Sequence, residues 1–208
     1  MKSISRQIAD AINANPSQVD AAITLLDEGA TVPFIARYRK EVTGALDDCQ
    51  LRQLQSQLIY LRDMDQRRQS ILEAITEQGK LTPELKAQLL AADSKTRLED
   101  LYQPFKSKRR TKAQQAREAG LAPLAQLILA EPSVAPEQHA SGFINAEAGF
   151  TDVASVLDGA RSILIEQFSE SAELAGQLRE QLWQQGNLEV SVVKGQEQQA
   201  VKFRDYFE

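Results

Sequence analysis

The 208-residue chain contains one cysteine and one histidine. Cys49 alone cannot form an internal disulfide, which fits a reducing cytoplasm, and the chain is assigned there. His139, with no cysteine nearby, cannot supply the three or four ligands of a zinc site. Long apolar runs are also missing. None reaches the roughly 18 residues that cross a bilayer, and Met1–Arg6 leads into polar sequence without a signal-peptide core. No P-loop and no glycine-rich dinucleotide fingerprint is present. The carboxylate pairs Asp47/Asp48 and Glu99/Asp100 fall at expected helix starts or within a capping box, where holding backbone N–H groups is their ordinary task. Cys49 reads as a partly buried small side chain, since carboxylate neighbours disfavour the thiolate a nucleophile needs. The expectation is a chain that is not an enzyme, with no catalytic residue, no metal ligand and no cofactor.

Hydrophobic residues make up 42% and charged residues 25%, enough apolar side chains for a packed globular core. Helical periodicity dominates. Ile4, Ile8 and Ile12 form one stripe, and Asn15-Pro16 starts a second helix through Val19, Ile23 and Leu26 to Gly29. Pro33 opens a third, running through Tyr38 towards Val42 until Thr43-Gly44 stops it. Asp47 and Gln50 make a capping box for a helix that meets no Gly or Pro before Gln78. At 1.5 Å per residue it is about 45 Å long. Its seam of Leu51, Leu54, Leu58 and Leu61 meets Asp65 and Arg68 before resuming at Leu72 and Ile75. That interruption argues against a coiled coil and for a spine whose buried face rotates. Shorter helices follow after Thr82, Thr96 (with Glu99 as a capping box), Thr111 and near Pro123. Two stronger ones span 152–168 and 171–185. The alternation at Leu188–Val193 allows a short strand or one helical turn. The fold class is all-α, multi-helical, with an N-terminal helix-turn-helix-like segment at 1–46 and a long helix plus helical bundle at 47–208. At most one short strand is expected, near 188–193.

Charge is segregated. Residues 101–117 hold Lys106, Lys108, Arg109, Arg110, Lys112 and Arg117 with no Asp or Glu, in a chain of net charge −5. Phosphate backbones respond to such local potential. A second group, Arg37, Arg39 and Lys40, surrounds Tyr38 after Phe34. The nucleic-acid-binding candidates are therefore Arg37, Arg39, Lys40, Lys106, Lys108, Arg109, Arg110 and Lys112, with Tyr38, Tyr102 and Phe105 as rings on which a base could stack. A loop kept soluble by its charges is the alternative reading of the 106–112 block. Pairing between Arg37 and Glu41 is the alternative for the other group. The helix-turn-helix geometry itself does not read DNA, because 16–29 holds no Lys or Arg while Asp20, Asp27 and Glu28 are present.

Longer runs carry a resemblance. Gly29–Gly44 (GATVPFIARYRKEVTG), Thr96–Tyr102 (TRLEDLY), Lys108–Ala113 (KRRTKA), Ala116–Leu121 (AREAGL) and Lys202–Phe207 (KFRDYF) are similar to hallmarks of the Tex family, the bacterial transcription accessory proteins. Gln103 and Ser107 depart from its pattern. The resemblance implies a longer cytoplasmic protein with a helical N-terminal region, an RNase H-like domain, helix-hairpin-helix elements and a C-terminal OB-fold RNA-binding domain. This chain would be the N-terminal part, a reading supported by three aromatics crowded into its last six residues. The family's RNA-binding and nuclease-like domains would lie outside this chain; with the basic residues above, the expected role is a non-enzymatic, transcription-related module binding nucleic acid weakly and without sequence specificity, RNA rather than DNA, through a basic surface. The implied protein partners are RNA polymerase or other transcription proteins and the downstream domains of the same protein. A docking scaffold is the alternative. No membrane association is implied.

Overall fold

The computed structural model describes residues 2–107, 109–133 and 135–207. The chain is mainly α, about 70% helical, and among the described residues its strand content is one isolated bridge between Asn145 and Phe150. It forms two compact units, Met1–Lys106 and Ser107–Glu208. Residues 1–46 share one core with the first half of the long helix, and the division between units falls inside the basic block.

In the first unit, α1 (Ile4–Ile12) and α2 (Pro16–Asp27) are joined by Asn13, whose left-handed backbone (φ 54°) ends α1. The third helix, α3 (Val32–Tyr38), is shorter than expected: Arg39 leaves helical geometry, and residues 40–45 form turns. Tertiary contacts hold those turns. Gln18 on α2 donates its amide N–H to the carbonyls of Thr43 (3.2 Å) and Gly44 (2.7 Å), while its own carbonyl accepts from the N-cap Asn15 N–H (3.0 Å). Gln50 does the same two helices later. It accepts from the Asp47 N–H (3.1 Å) and donates to the Ile12 carbonyl (3.1 Å). Each capping glutamine thus satisfies an orphan helix-end donor and fixes a distant loop.

The capped helix, α4 (Asp48–Glu77), is the 30-residue spine. Its first half buries Leu51, Leu54 and Leu58 against Ile8, Ile12, Val19, Val32 and Ile35. Each such aliphatic side chain contributes about 1.5–3 kcal/mol on burial. A bidentate pair from Arg62 to Asp27 (2.7 Å for both bonds) fastens α2 to it. Further along, the buried face passes through Met64, Arg68, Ile71 and Ile75, beside α5 (Pro83–Ala91) and α6 (Lys95–Tyr102). Arg68, only 4% exposed, explains the break in the heptad pattern. It donates to the carbonyls of Leu89 (3.1 Å) and Ala92 (3.0 Å) at the end of α5 and pairs with Asp65. Its guanidinium thereby fills carbonyls that the ending helix leaves open. Ser94, not Thr96, caps α6, accepting from the Arg97 N–H. Glu99 is consequently free of the capping box expected for it.

The second unit is built on α7 (Lys112–Glu118), α8 (Ala122–Ala130), the short α9 (Pro136–Ala140) and α10 (Val153–Ser169). Its core is small-residue packing. Ala113 and Ala116 on α7 meet Gly159 and Ala160 on α10, with Leu121, Leu124, Val156 and Ile163 around them. A Cβ at Gly159 would stand 2.6 Å from Leu121 Cδ1 and 2.7 Å from Phe150 Cε1. After α10 come α11 (Ala172–Gln185) and the single-turn α12 (Glu197–Ala200), neither with a buried residue. Residues 187–193 form neither a strand nor a helical turn, and Leu188 is 95% exposed. Alternating apolar residues become a strand only when a neighbouring edge accepts their backbone, and among the described residues none does.

Candidate nucleic-acid interface

The eight candidate cations divide between the units: Arg37, Arg39, Lys40 and Lys106 in the first, Arg109, Arg110 and Lys112 in the second. Lys108 lies outside the described residues. Within the first unit the groups attach to different halves of the spine. The cations after Ile35 stand on the core built by Leu51–Leu58, whereas Lys106 joins Glu99 and Arg67. About 20 Å of helix separates Leu54 from Arg67.

Lys106 is occupied within the molecule. Its Nζ lies 2.7 Å from Glu99 Oε2, and the other carboxylate oxygen accepts from Arg67 Nε at 2.5 Å. Both cations also sit over the Tyr102 ring, at 5.4 Å (Arg67) and 5.7 Å (Lys106) from its centroid. Hydrogen bonding from Arg67 first, then from Lys106, holds the Glu99 carboxyl down at about 2 against the opposing effect of burial. Phe105 is half-buried, and Gln78 donates to its carbonyl at 2.9 Å. This clasp of Arg67, Glu99, Tyr102 and Lys106 fixes the last turn of the first unit. No local pattern announces it, since Arg67 and Glu99 are 32 positions apart.

In the second unit, Arg110 pairs with Glu118 at 2.5 Å. Hydrogen bonds from Gln114 and then Arg110 hold that carboxyl below the usual carboxylate range. Arg117 and the Thr111 hydroxyl both bond Glu166 on α10. Arg109 and Lys112 are exposed and have no carboxylate within 4.0 Å among the described residues.

At the end of α3 the cations have not been spent. Arg37, Arg39 and Lys40 are exposed, and among the described residues none forms an ion pair, with Glu41 or otherwise. Arg39 donates to the Tyr38 carbonyl (3.2 Å) and lies over the Phe34 ring at 5.2 Å. Phe34 and Tyr38, one turn apart, have ring centroids 5.4 Å apart and planes tilted by 47°. Phe34 is 41% exposed and Tyr38 61%. Phe34 is the ring absent from the sequence-based candidates; its i,i+4 spacing from Tyr38 was the available signal.

Residues 2–76 match the family model for the Tex-like protein N-terminal domain, and residues 131–208 match that for the Tex central region-like domain. The chain belongs to the Tex family. It is 55% identical over 206 residues to Protein YhgF of Escherichia coli and 54% identical over 205 residues to Transcriptional accessory protein Tex of Neisseria gonorrhoeae. Each alignment covers 99% of this chain and 27% of the relative. The chain thus spans about a quarter of the length of these relatives. An animal relative, S1 RNA-binding domain-containing protein 1 of Pongo abelii, is 30% identical over 169 residues, covering 80% of this chain and 17% of its own length. Among the described residues no helix is long and apolar enough to cross a membrane, and no cluster of His, Cys, Asp and Glu could hold a metal ion. Cys49 is exposed, not partly buried.

Proposed function

We propose that this Tex region is a non-enzymatic module that contacts nucleic acid, RNA in preference to DNA, through its unpaired cations. The observation that carries the reading is the end of α3, where Arg37, Arg39 and Lys40 stand exposed, without carboxylate partners among the described residues, beside two exposed rings. Arg109 and Lys112 add a second, weaker contact from the other unit. Lys106 and Arg110 contribute less, because a phosphate would have to displace Glu99 or Glu118 from them. The transcriptional name of one relative and the RNA-binding domain in the name of another support polynucleotide as the ligand class.

Binding of this kind is weak, tolerant of sequence and salt-dependent. Titration of the chain with labelled single-stranded RNA at several salt concentrations should give a straight line of log K against log salt. Its slope falls by about 0.7 for each phosphate contact removed. Arg37→Gln with Lys40→Gln should flatten the line more than Arg110→Gln does. An identical slope in all variants would refute the reading.

A second reading, a docking scaffold for transcription proteins or downstream domains, is favoured by a different observation. Ile165, Phe168, Leu178, Leu182 and Trp183 of α10 and α11 are exposed, Trp183 to 86%. Capture of protein partners that survives nuclease treatment and is lost in Leu182→Gln/Trp183→Gln would support it.

A further inference from the structure

We propose that a cleft in the first unit, between α1 and α5, is a binding site for a small organic cation: an ammonium or guanidinium group carried on an apolar body. The site goes beyond the polynucleotide reading and does not depend on it.

Both α1 and α5 stand beside the spine α4, and a cleft of about 560 Å³ opens where they flank it. That volume lies within the range of small-molecule sites. Ile4 of α1, Leu61 and Met64 of α4, and Ala87, Leu90 and Ala91 of α5 supply its apolar walls. Ala87 and Ala91 stand one turn apart and carry only methyl groups, so the α5 wall recedes along the face those two share with Leu90. Leu90 is left 42% exposed.

Four charged side chains line the cleft, and three of them are already matched. Lys2 Nζ lies 2.7 Å from Asp10. The buried Arg68 guanidinium is held by Asp65 and by the Leu89 and Ala92 carbonyls. Asp93 is exposed and, among the described residues, forms no ion pair. Two further acceptors stand near it on the same lining. Asp65 keeps 39% of its side chain in solvent, and Gln7, whose amide N–H is donated to the Lys2 carbonyl (3.0 Å), retains its oxygen. The unmatched charge is thus one carboxylate beside apolar walls. A cation answers that charge, and an ammonium brings three donors or a guanidinium five. A neutral ligand would desolvate Asp93 without pairing it, and an anion would be repelled.

A peptide is a poorer occupant. Its main chain brings an N–H and a C=O at every residue, whereas the helix-end carbonyls of Leu89 and Ala92 are taken by Arg68. The dipole of α6 offers another account of Asp93, which precedes the Ser94 cap. That account leaves the uncovered leucine and the receding alanine wall unexplained.

The test titrates the chain with phenylbutylamine, phenylbutanol and phenylbutyrate, one apolar body with three head groups, and follows amide resonances by NMR. An ordinary ligand efficiency sets the dissociation constant of the amine at about a millimolar. The amine should bind about ten-fold more tightly than the alcohol, and the carboxylate more weakly than either. Shifts should fall in residues 4–7, 61–68 and 87–93, and not in 112–169. Asp93→Asn should erase the preference for the amine and leave the alcohol unaffected. Ala87→Phe, at an exposed position whose fold circular dichroism checks, should weaken all three. Equal binding of amine and alcohol, or an amine preference that survives Asp93→Asn, overturns the cationic ligand. Undiminished binding by a folded Ala87→Phe, or shifts confined to other residues, overturns the site. A peptide containing Leu and Arg that shifts these resonances where the amine fails overturns the small-molecule class and assigns the cleft to a protein segment.

Discussion

The two units solve the packing problem with different side chains. The first inserts large aliphatics, with Ile8, Ile35, Leu51, Leu54, Ile71 and Ile75 all at 0% exposure, and buries an arginine to finish a helix end. The second brings α7 against α10 through Ala113, Ala116, Gly159 and Ala160, then runs on into helices that bury nothing. Their charge differs too: the first has 14 basic and 15 acidic side chains, the second 10 and 14. In the first unit the exposed Phe34 and Tyr38 of α3 stand beside cations that form no ion pair among the described residues, and Ile59, Tyr60 and Leu90 are exposed as well. In the second, exposed apolar side chains are common enough that none marks a site by itself.

Substitutions can break or sharpen this contrast. The largest effect is expected at Arg68→Met, which keeps the volume but strips the Leu89 and Ala92 carbonyls of their donor. About 3 kcal/mol should be lost, and hydrogen exchange should accelerate in residues 48–102 but not in 112–169. Gly159→Val should do the reverse. Overpacking against Leu121 and Phe150 costs about 2 kcal/mol, read as faster exchange in α7 and α10 alone.

A smaller effect belongs to the clasp. Glu99 is depressed from 4.5 to about 2, so its stabilisation is fully present above about pH 4.5 and is lost as pH falls towards 2. Its side chain is 36% exposed, and solvent screening limits the contribution to about 1 kcal/mol. Glu99→Gln should lower the stability of the first unit by that amount at neutral pH and flatten its acid dependence in that window, measured by denaturant unfolding. It should also release Lys106, bringing that cation into the RNA salt slope. The smallest effect is expected at Trp183→Gln. With 86% of the residue in solvent, the thermal midpoint should stay within the shift produced by about 0.5 kcal/mol.

The helices were legible wherever a local cap or periodicity decided them. Asp47 with Gln50, Thr82, Thr111, Asp152 and Ser171 cap the helices expected of them, and the spine has its expected length. Illegible features depended on partners far along the chain. The early end of α3 depends on Gln18, Ser94 displaced Thr96 as a cap, and no strand formed at 187–193 because no edge was there to receive it. The candidate cations show the same divide. Their clustering along the chain was plain, but which of them carry a carboxylate was not.

Sequence alone determined an all-helical protein with segregated positive charge, because capping and amphipathic spacing act within a few residues. Only the tertiary structure decided that Lys106 and Arg110 are neutralised while Arg37, Arg39 and Lys40, among the described residues, remain unpaired around an exposed Tyr38. The physical reason is range: a cap needs a neighbour three residues away, whereas an ion pair needs two side chains within 4 Å that the chain can bring from anywhere.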